Sequence, residues 1–184
     1  MSKLSVFNFI SLDGYYKDLN NGIDWHVHGQ EEGDFSAKSL GQNNILLFGR
    51  ITYQMMASWW PTQNAIDAMP DVARGMNNAE KIVCSNTLKT ADWHNTRIIS
   101  GDIFTQLAAM KKTSGKDITI LGSGNLTTQL AEAGLIDSYQ IMIDPIAIGN
   151  GIAIFKDMQR QLKLKLTDTR AFKSGTVLLS YEAI

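Results

Sequence analysis

At 184 residues and 20.4 kDa, the chain has the size of one domain with a single core. Its 44% hydrophobic and 19% charged residues exclude a largely disordered chain, and a formal net charge of −1 leaves no basic excess for a nucleic-acid backbone. A single cysteine, Cys84, allows no internal disulfide and suits a reducing cytoplasm, while no run approaches the roughly 18 apolar residues of a membrane span.

The first segment, Leu4-Ser5-Val6-Phe7-Asn8-Phe9-Ile10, partly alternates and is rich in strand formers. It stops at Asp13-Gly14, a turn pair, so a first strand is predicted there. Residues 15–30 read as a surface loop around Asn20-Asn21-Gly22 and Trp25, long enough to act as a lid. A helix is expected over residues 31–42, closed by Gly41, although Phe35 and Leu40 make a thin apolar stripe. Ile45-Leu46-Leu47-Phe48 is a continuous apolar run before Gly49, as in a strand buried on both faces, and residues 51–59 form the helix that follows, stopped near Pro61. After a polar connection, residues 81–85 predict a second buried strand and residues 97–100 a third.

Asp102 then caps a helix in which Ile103, Leu107 and Met110 recur at i, i+4 and i+7. Residues 117–121 form the next strand, Gly122-Ser123-Gly124 a turn, and residues 125–133 a helix with Leu126 and Leu130 inward. This alternation predicts an α/β fold with a mostly parallel sheet and right-handed crossovers. Beyond Leu135 the strand-like runs at 139–143, 152–155, 162–170 and 176–182 have no helix between them. The last two, joined near Lys173-Ser174-Gly175, predict a terminal antiparallel hairpin on a mixed sheet flanked by helices, all within one domain spanning residues 1–184.

A strand that ends in glycine and opens a helix presents unpaired backbone N–H groups and the positive end of a helix dipole, which suits phosphate. Two junctions have this form. At the first, Gly49 allows close approach, Arg50 supplies a forked cation and Thr52 a hydroxyl. The second, Gly122-Ser123-Gly124-Asn125-Leu126, offers backbone amides without a cation. Ser85-Asn86-Thr87 adds a third polar cluster at the same carboxyl edge of the sheet, where open α/β sheets bind ligands. The G-x-G-x-x-G pattern of the Rossmann fold is absent, because Thr127 stands where its third glycine would be. His26 and His28 share a loop without a third ligand, so no metal site is expected.

Taken together, Ser11-Leu12-Asp13-Gly14-Tyr15, Gly49-Arg50-x-Thr52-Tyr53, Ser85, Gly122-Ser123-Gly124, Gly134-Leu135-Ile136-Asp137, Pro145, Gly149-x-Gly151 and Phe155 resemble the dihydrofolate reductase-like superfamily. Within it, the order and spacing are similar to the C-terminal reductase domain of the bifunctional riboflavin-biosynthesis deaminase/reductase and its stand-alone bacterial relatives. The resemblance implies NADPH as cofactor, with Gly49, Arg50 and Thr52 near its phosphates. It places Ser85, Asn86 and Thr87 near the adenosine 2′-phosphate, and Gly122, Ser123, Gly124, Asn125 and Leu126 under the pyrophosphate. Two positions depart from the family pattern: Ser123 replaces the second glycine of a pair often joined by a cis peptide, and Ser138 follows Asp137 where glutamate is common.

On the acceptor side, dihydrofolate reductases carry a carboxylate on the first helix, and counting back from Gly49 makes Glu32 or Asp34 the catalytic candidate. Asp13, Trp25 and Trp60 are candidate substrate contacts, the tryptophans as stacking surfaces for a planar ring. The expected activity is hydride transfer from NADPH to a pyrimidine- or pteridine-like small molecule, its best instance the reduction of 5-amino-6-(5-phosphoribosylamino)uracil. The alternative is an NADP(H)-binding protein without turnover. A homodimer is expected through the apolar stretch 141–154 beside the terminal hairpin, with neither nucleic acid nor membrane as partner.

Overall fold

The computed structural model describes residues 1–27 and 29–184. The chain runs β1 (Leu4–Ser11), β2 (Tyr15–Lys17), α1 (Gln30–Leu40), β3 (Ile45–Gly49), α2 (Arg50–Trp59), α3 (Gln63–Ala68), α4 (Pro70–Asn78), β4 (Lys81–Cys84) and β5 (Thr96–Ile99). It continues through α5 (Ile103–Thr113), β6 (Ile118–Leu121), α6 (Gly124–Glu132), β7 (Ser138–Asp144), β8 (Ile152–Ala153), β9 (Leu164–Ala171) and β10 (Val177–Ala183). Among the described residues, eight strands form one sheet in the order β5-β4-β3-β6-β1-β7-β10-β9. Pairing is parallel from β5 to β7 and antiparallel through β10 and β9, as the change of pattern after Leu135 predicts.

Alternate residues of the central strands feed two cores. Leu4, Val6, Ile45, Leu47, Ile82 and Ile120 face α5 and α6 through Leu107, Leu126 and Leu130. Leu46, Phe48 and Val83 face the other way, onto Tyr53, Val72, Met76 and Trp93. β3 is therefore buried on both faces, which is why its run is apolar without alternation. The Asp102 carboxylate caps α5 by accepting the Thr105 amide at 3.1 Å. At the end of α6, Gly134 takes a φ of +66° and its amide and that of Leu135 return to Ala131 and Leu130, a left-handed stop that favours glycine.

Two expectations are corrected. Residues 15–30 are not all loop, because β2 pairs with β8 in a separate two-stranded sheet. The polar connection before β4 holds two short helices: Thr62 caps α3, and α4 opens on Pro70 and buries Val72, Ala73 and Met76. The expected strand at 139–143 is present as β7, with Ile141 and Met142 buried in the sheet.

Lys81 is the most unusual core residue, at 0% exposure. Its ammonium donates to the carbonyls of Met76, Asn77 and Ala79 at 2.9, 3.1 and 2.7 Å, closing the end of α4, and lies 4.6 Å from the Trp93 ring centre. Burial pulls its pKa from 10.5 down to about 8. Between those values the unfolded chain holds a proton that the folded chain has released, so this residue makes stability rise with pH across that window. The stability difference between wild type and Lys81→Met, taken from urea melts, should therefore grow as pH rises through the window. A difference independent of pH would refute the assignment.

Candidate functional site

The carboxyl ends of β3 and β6 lie side by side, so the two glycine turns form one feature. The Gly49 amide donates to the Ser123 hydroxyl at 3.0 Å, and that hydroxyl donates to the Leu121 carbonyl at 3.2 Å. Gly122 and Ser123 both take left-handed backbone, with φ of +60° and +56°, and no peptide among the described residues is cis. The Ser123 side chain does not cap α6, so the first amides of the helix are left without a partner from that residue. A Cβ on Gly122 would stand 3.2 Å from the Thr52 methyl, so the second glycine turn lies directly against the start of α2.

These turns open into a cleft of about 1060 Å³. Its central wall carries Gly49, Arg50, Thr52, Gly122, Ser123, Asn125 and Leu126; Gly124 lies just behind, under the Tyr16 ring. Arg50 is exposed and steadied by Gln54 at 3.0 Å. At the β4–β5 end, Cys84, Ser85, Asn86, Gly101, Ile103 and Phe104 line the wall, whereas Thr87 does not. The Ser85 hydroxyl accepts the Thr87 and Leu88 amides at 3.2 and 2.9 Å, and Asn86 accepts the Gly101 amide at 2.9 Å, which ties the ends of β4 and β5. Burial pushes the Cys84 thiol up to about 12, which keeps it protonated and unreactive at neutral pH.

At the α1–α2 end the wall is mostly apolar: Phe7, Phe9, Phe35, Met55, Met56 and Trp60, with Asp34 and Ser36 as polar members. Phe7 packs on Phe35 at 6.1 Å between ring centres, and Phe35 meets Phe172 edge-on at 6.2 Å. Trp60 lines the cleft as expected, its indole N–H directed to Met56 sulfur at 3.0 Å. Asp34 also lines it, exposed, with Gln30 donating to its carboxylate at 2.8 Å.

The remaining candidates fall elsewhere. Glu32 is 1% exposed and accepts the Ser174 hydroxyl at the β9–β10 turn, so it is withdrawn from the cleft. Asp13 is a clamp: Ser11 donates to it at 2.6 Å and the amides of Ile148 and Gly149 at 3.2 and 2.7 Å, bonds that hold its pKa below the usual carboxylate value, the Ser11 bond foremost. Trp25 lies behind the lining, edge-on to Phe9. His26 stacks on Phe9 with ring centres 3.6 Å apart and bonds the buried Asp144, which Thr176 also contacts at 3.3 Å; His28 is outside the described residues.

Sequence reasoning passed over several lining residues. Phe7 and Phe9 were absorbed into the strand reading, and Met55 and Met56 into the helix. Tyr16 sat in what read as loop. Alternation along β1 could have placed Phe7 and Phe9 on one face, but no local pattern marks Tyr16.

The Bacillus subtilis protein YyaP is 29% identical to this chain over 174 residues, covering 94% of this chain and 90% of its own. Among solved structures, a putative riboflavin biosynthesis protein from Shewanella sp. PV-4 superposes with a TM-score of 0.76 at 19% identity, over 100% of this chain and 99% of that one. Dihydrofolate reductase from Enterococcus faecalis, solved with NADP(H), superposes with a TM-score of 0.65 at 16% identity, over 98% and 96%. These likenesses show the dihydrofolate reductase-like fold, and because the model of the RibD C-terminal domain matches residues 2–178, the chain belongs to that family.

Proposed function

We propose that the protein is an NADPH-dependent reductase acting on a pyrimidine- or pteridine-like acceptor, with 5-amino-6-(5-phosphoribosylamino)uracil as the best instance. One observation carries this reading: two glycine turns, joined through Ser123, open at adjacent parallel strand ends onto a cleft sized for a nucleotide and a small ring. A side chain at Gly122 would fill the cradle, which fits a backbone-bound phosphate. In this reading Gly122, Ser123, Gly124, Asn125 and Leu126 hold the pyrophosphate, and Gly49, Arg50 and Thr52 the neighbouring phosphate oxygens. Ser85 and Asn86, which line the cleft, receive the adenosine 2′-phosphate, and Thr87 stands behind them. When bound, NADPH supplies the hydride. Phe7, Phe35, Met55 and Trp60 hold the flat acceptor and exclude water, and Asp34 is the carboxylate within reach of it. Membership of the RibD C-terminal domain family and the likeness to the Shewanella riboflavin biosynthesis protein and the Enterococcus dihydrofolate reductase support the reading.

The withdrawal of Glu32 to Ser174 favours the second reading, an NADP(H)-binding protein without turnover. NADPH oxidation over a panel of pyrimidine, pteridine and quinone acceptors separates the two: turnover that falls at least tenfold in Asp34→Asn supports the reductase, and tight NADPH binding with no turnover supports the binder.

NADPH should bind more tightly than NADH through the Ser85 and Asn86 end of the cleft, and Arg50→Ala should weaken both cofactors at least tenfold, since a charge-assisted hydrogen bond contributes about 1.5–3 kcal/mol. Equal affinities in the wild type would count against the site. Gly122→Ala should lower stability by roughly 1–2 kcal/mol, because the left-handed backbone disfavours a Cβ, and should weaken NADPH binding at least tenfold. A folded variant with normal affinity would remove the glycine turn from the site.

We also propose a homodimer. β9 is an edge strand exposed along most of its length, with Leu166 49% exposed, and an uncovered edge invites pairing. Light scattering at micromolar concentration should give about twice the chain mass; a clean monomer mass sinks the proposal.

A further inference from the structure

The cradle at the start of α6 is already covered by a side chain from another element. Tyr16, on β2, lies across Gly124 so closely that a Cβ there would stand 2.6, 2.7 and 3.1 Å from its ring Cε1, Cζ and hydroxyl oxygen. Burial raises the pKa of this phenol, and the Gly124 amide, which faces the hydroxyl, acts against it. Gly124 is the first residue of α6, next to the left-handed Gly122-Ser123 pair. A phosphate held by this turn would need the same N–H.

We propose that the Tyr16 hydroxyl is a displaceable occupant of this anion cradle, so that β2 must swing away before a pyrophosphate can seat. The inference rests on the cofactor reading above and adds the residue that sets its affinity. The strand that carries Tyr16 is weakly held. β2 is three residues long and, among the described residues, pairs only with the two-residue β8, with a register shift between Tyr15 and Lys17. Lys17 travels with it: its ammonium lies 5.3 Å from the Tyr16 ring centre and bonds Asn21, and all three residues line the cleft. Outward movement of Tyr16 would bare the Gly124 amide and leave the Lys17 cation at the rim of the same opening.

Tyr16→Phe tests this, because it keeps the ring and its packing and deletes only the competing acceptor. NADPH, followed by nicotinamide fluorescence, and inorganic pyrophosphate, followed by calorimetry, should both bind about three- to tenfold more tightly to the variant, the range set by one net hydrogen bond. In the wild type, hydrogen exchange at the amides of residues 15–17 should quicken on saturation with pyrophosphate. Binding of both probes that is unchanged or weaker in Tyr16→Phe overturns the inference; if wild type still binds NADPH, the cofactor reading survives. Pyrophosphate binding that tightens in the variant, without NADPH binding to either protein, upholds the inference and overturns the cofactor reading. Failure of both probes to bind either protein overturns both.

Discussion

Between β3 and β6, the Ser123 hydroxyl accepts the Gly49 amide and donates to the Leu121 carbonyl, and the geometry of the cleft hangs on that pair of bonds. Parallel neighbours are fixed in register by their ladders, but past the last ladder bond each strand end is free to splay. Ser123 prevents this at the point where both strands turn into helices. It takes left-handed backbone to do so, a conformation that costs a non-glycine residue about 1–2 kcal/mol, and the two hydrogen bonds offset much of it. A serine at this position of a glycine pair thus has a local physical reason: it supplies the bond that a second glycine could not.

The rotation of α1 is set in the same indirect way. Glu31 accepts the Lys173 amide and pairs with its ammonium at 3.3 Å, while Glu32 accepts the Ser174 hydroxyl, so the β9–β10 turn grips the first turn of the helix. Residues two apart on a helix point roughly 200° apart. With Glu32 held toward the hairpin, Asp34 is turned toward the cleft. The terminal hairpin, far from the glycine turns in the sheet, therefore selects which carboxylate borders the acceptor end.

Three further acids serve the scaffold. Asp137 accepts the Leu4 amide at 2.7 Å and pairs with Lys111 at 2.7 Å, joining the start of β1 to the end of α5. Asp13 clamps the segment after β7 through the Ile148 and Gly149 amides. Asp144 bonds His26 behind Phe9 and so backs one wall of the cleft. Their carboxylates are committed to positioning, which leaves Asp34 and Asp117 as the acids of the cleft lining.

Patterns carried by the chain itself were enough to read the parallel strands, the glycine turns, the α5 cap at Asp102 and the closing hairpin. Each rests on hydrophobic period, a capping residue or a turn residue within a few positions, and these are local forces. The family resemblance was legible for the same reason, since its motifs sit at strand ends. The short helices α3 and α4 were not legible, because Gly75, Asn77 and Asn78 weaken the helical signal and α4 is held by packing. There Gly75 is needed for close approach: a Cβ would stand 2.7 Å from Leu40 on α1. Nor could sequence choose between Glu32 and Asp34, find Asp13 to be a clamp, or bring Tyr16 onto Gly124. Those outcomes depend on contacts between residues 108 to 142 positions apart for Tyr16–Gly124, Asp13–Gly149 and Glu32–Ser174. Such contacts have no local pattern, and only the assembled tertiary structure decides them.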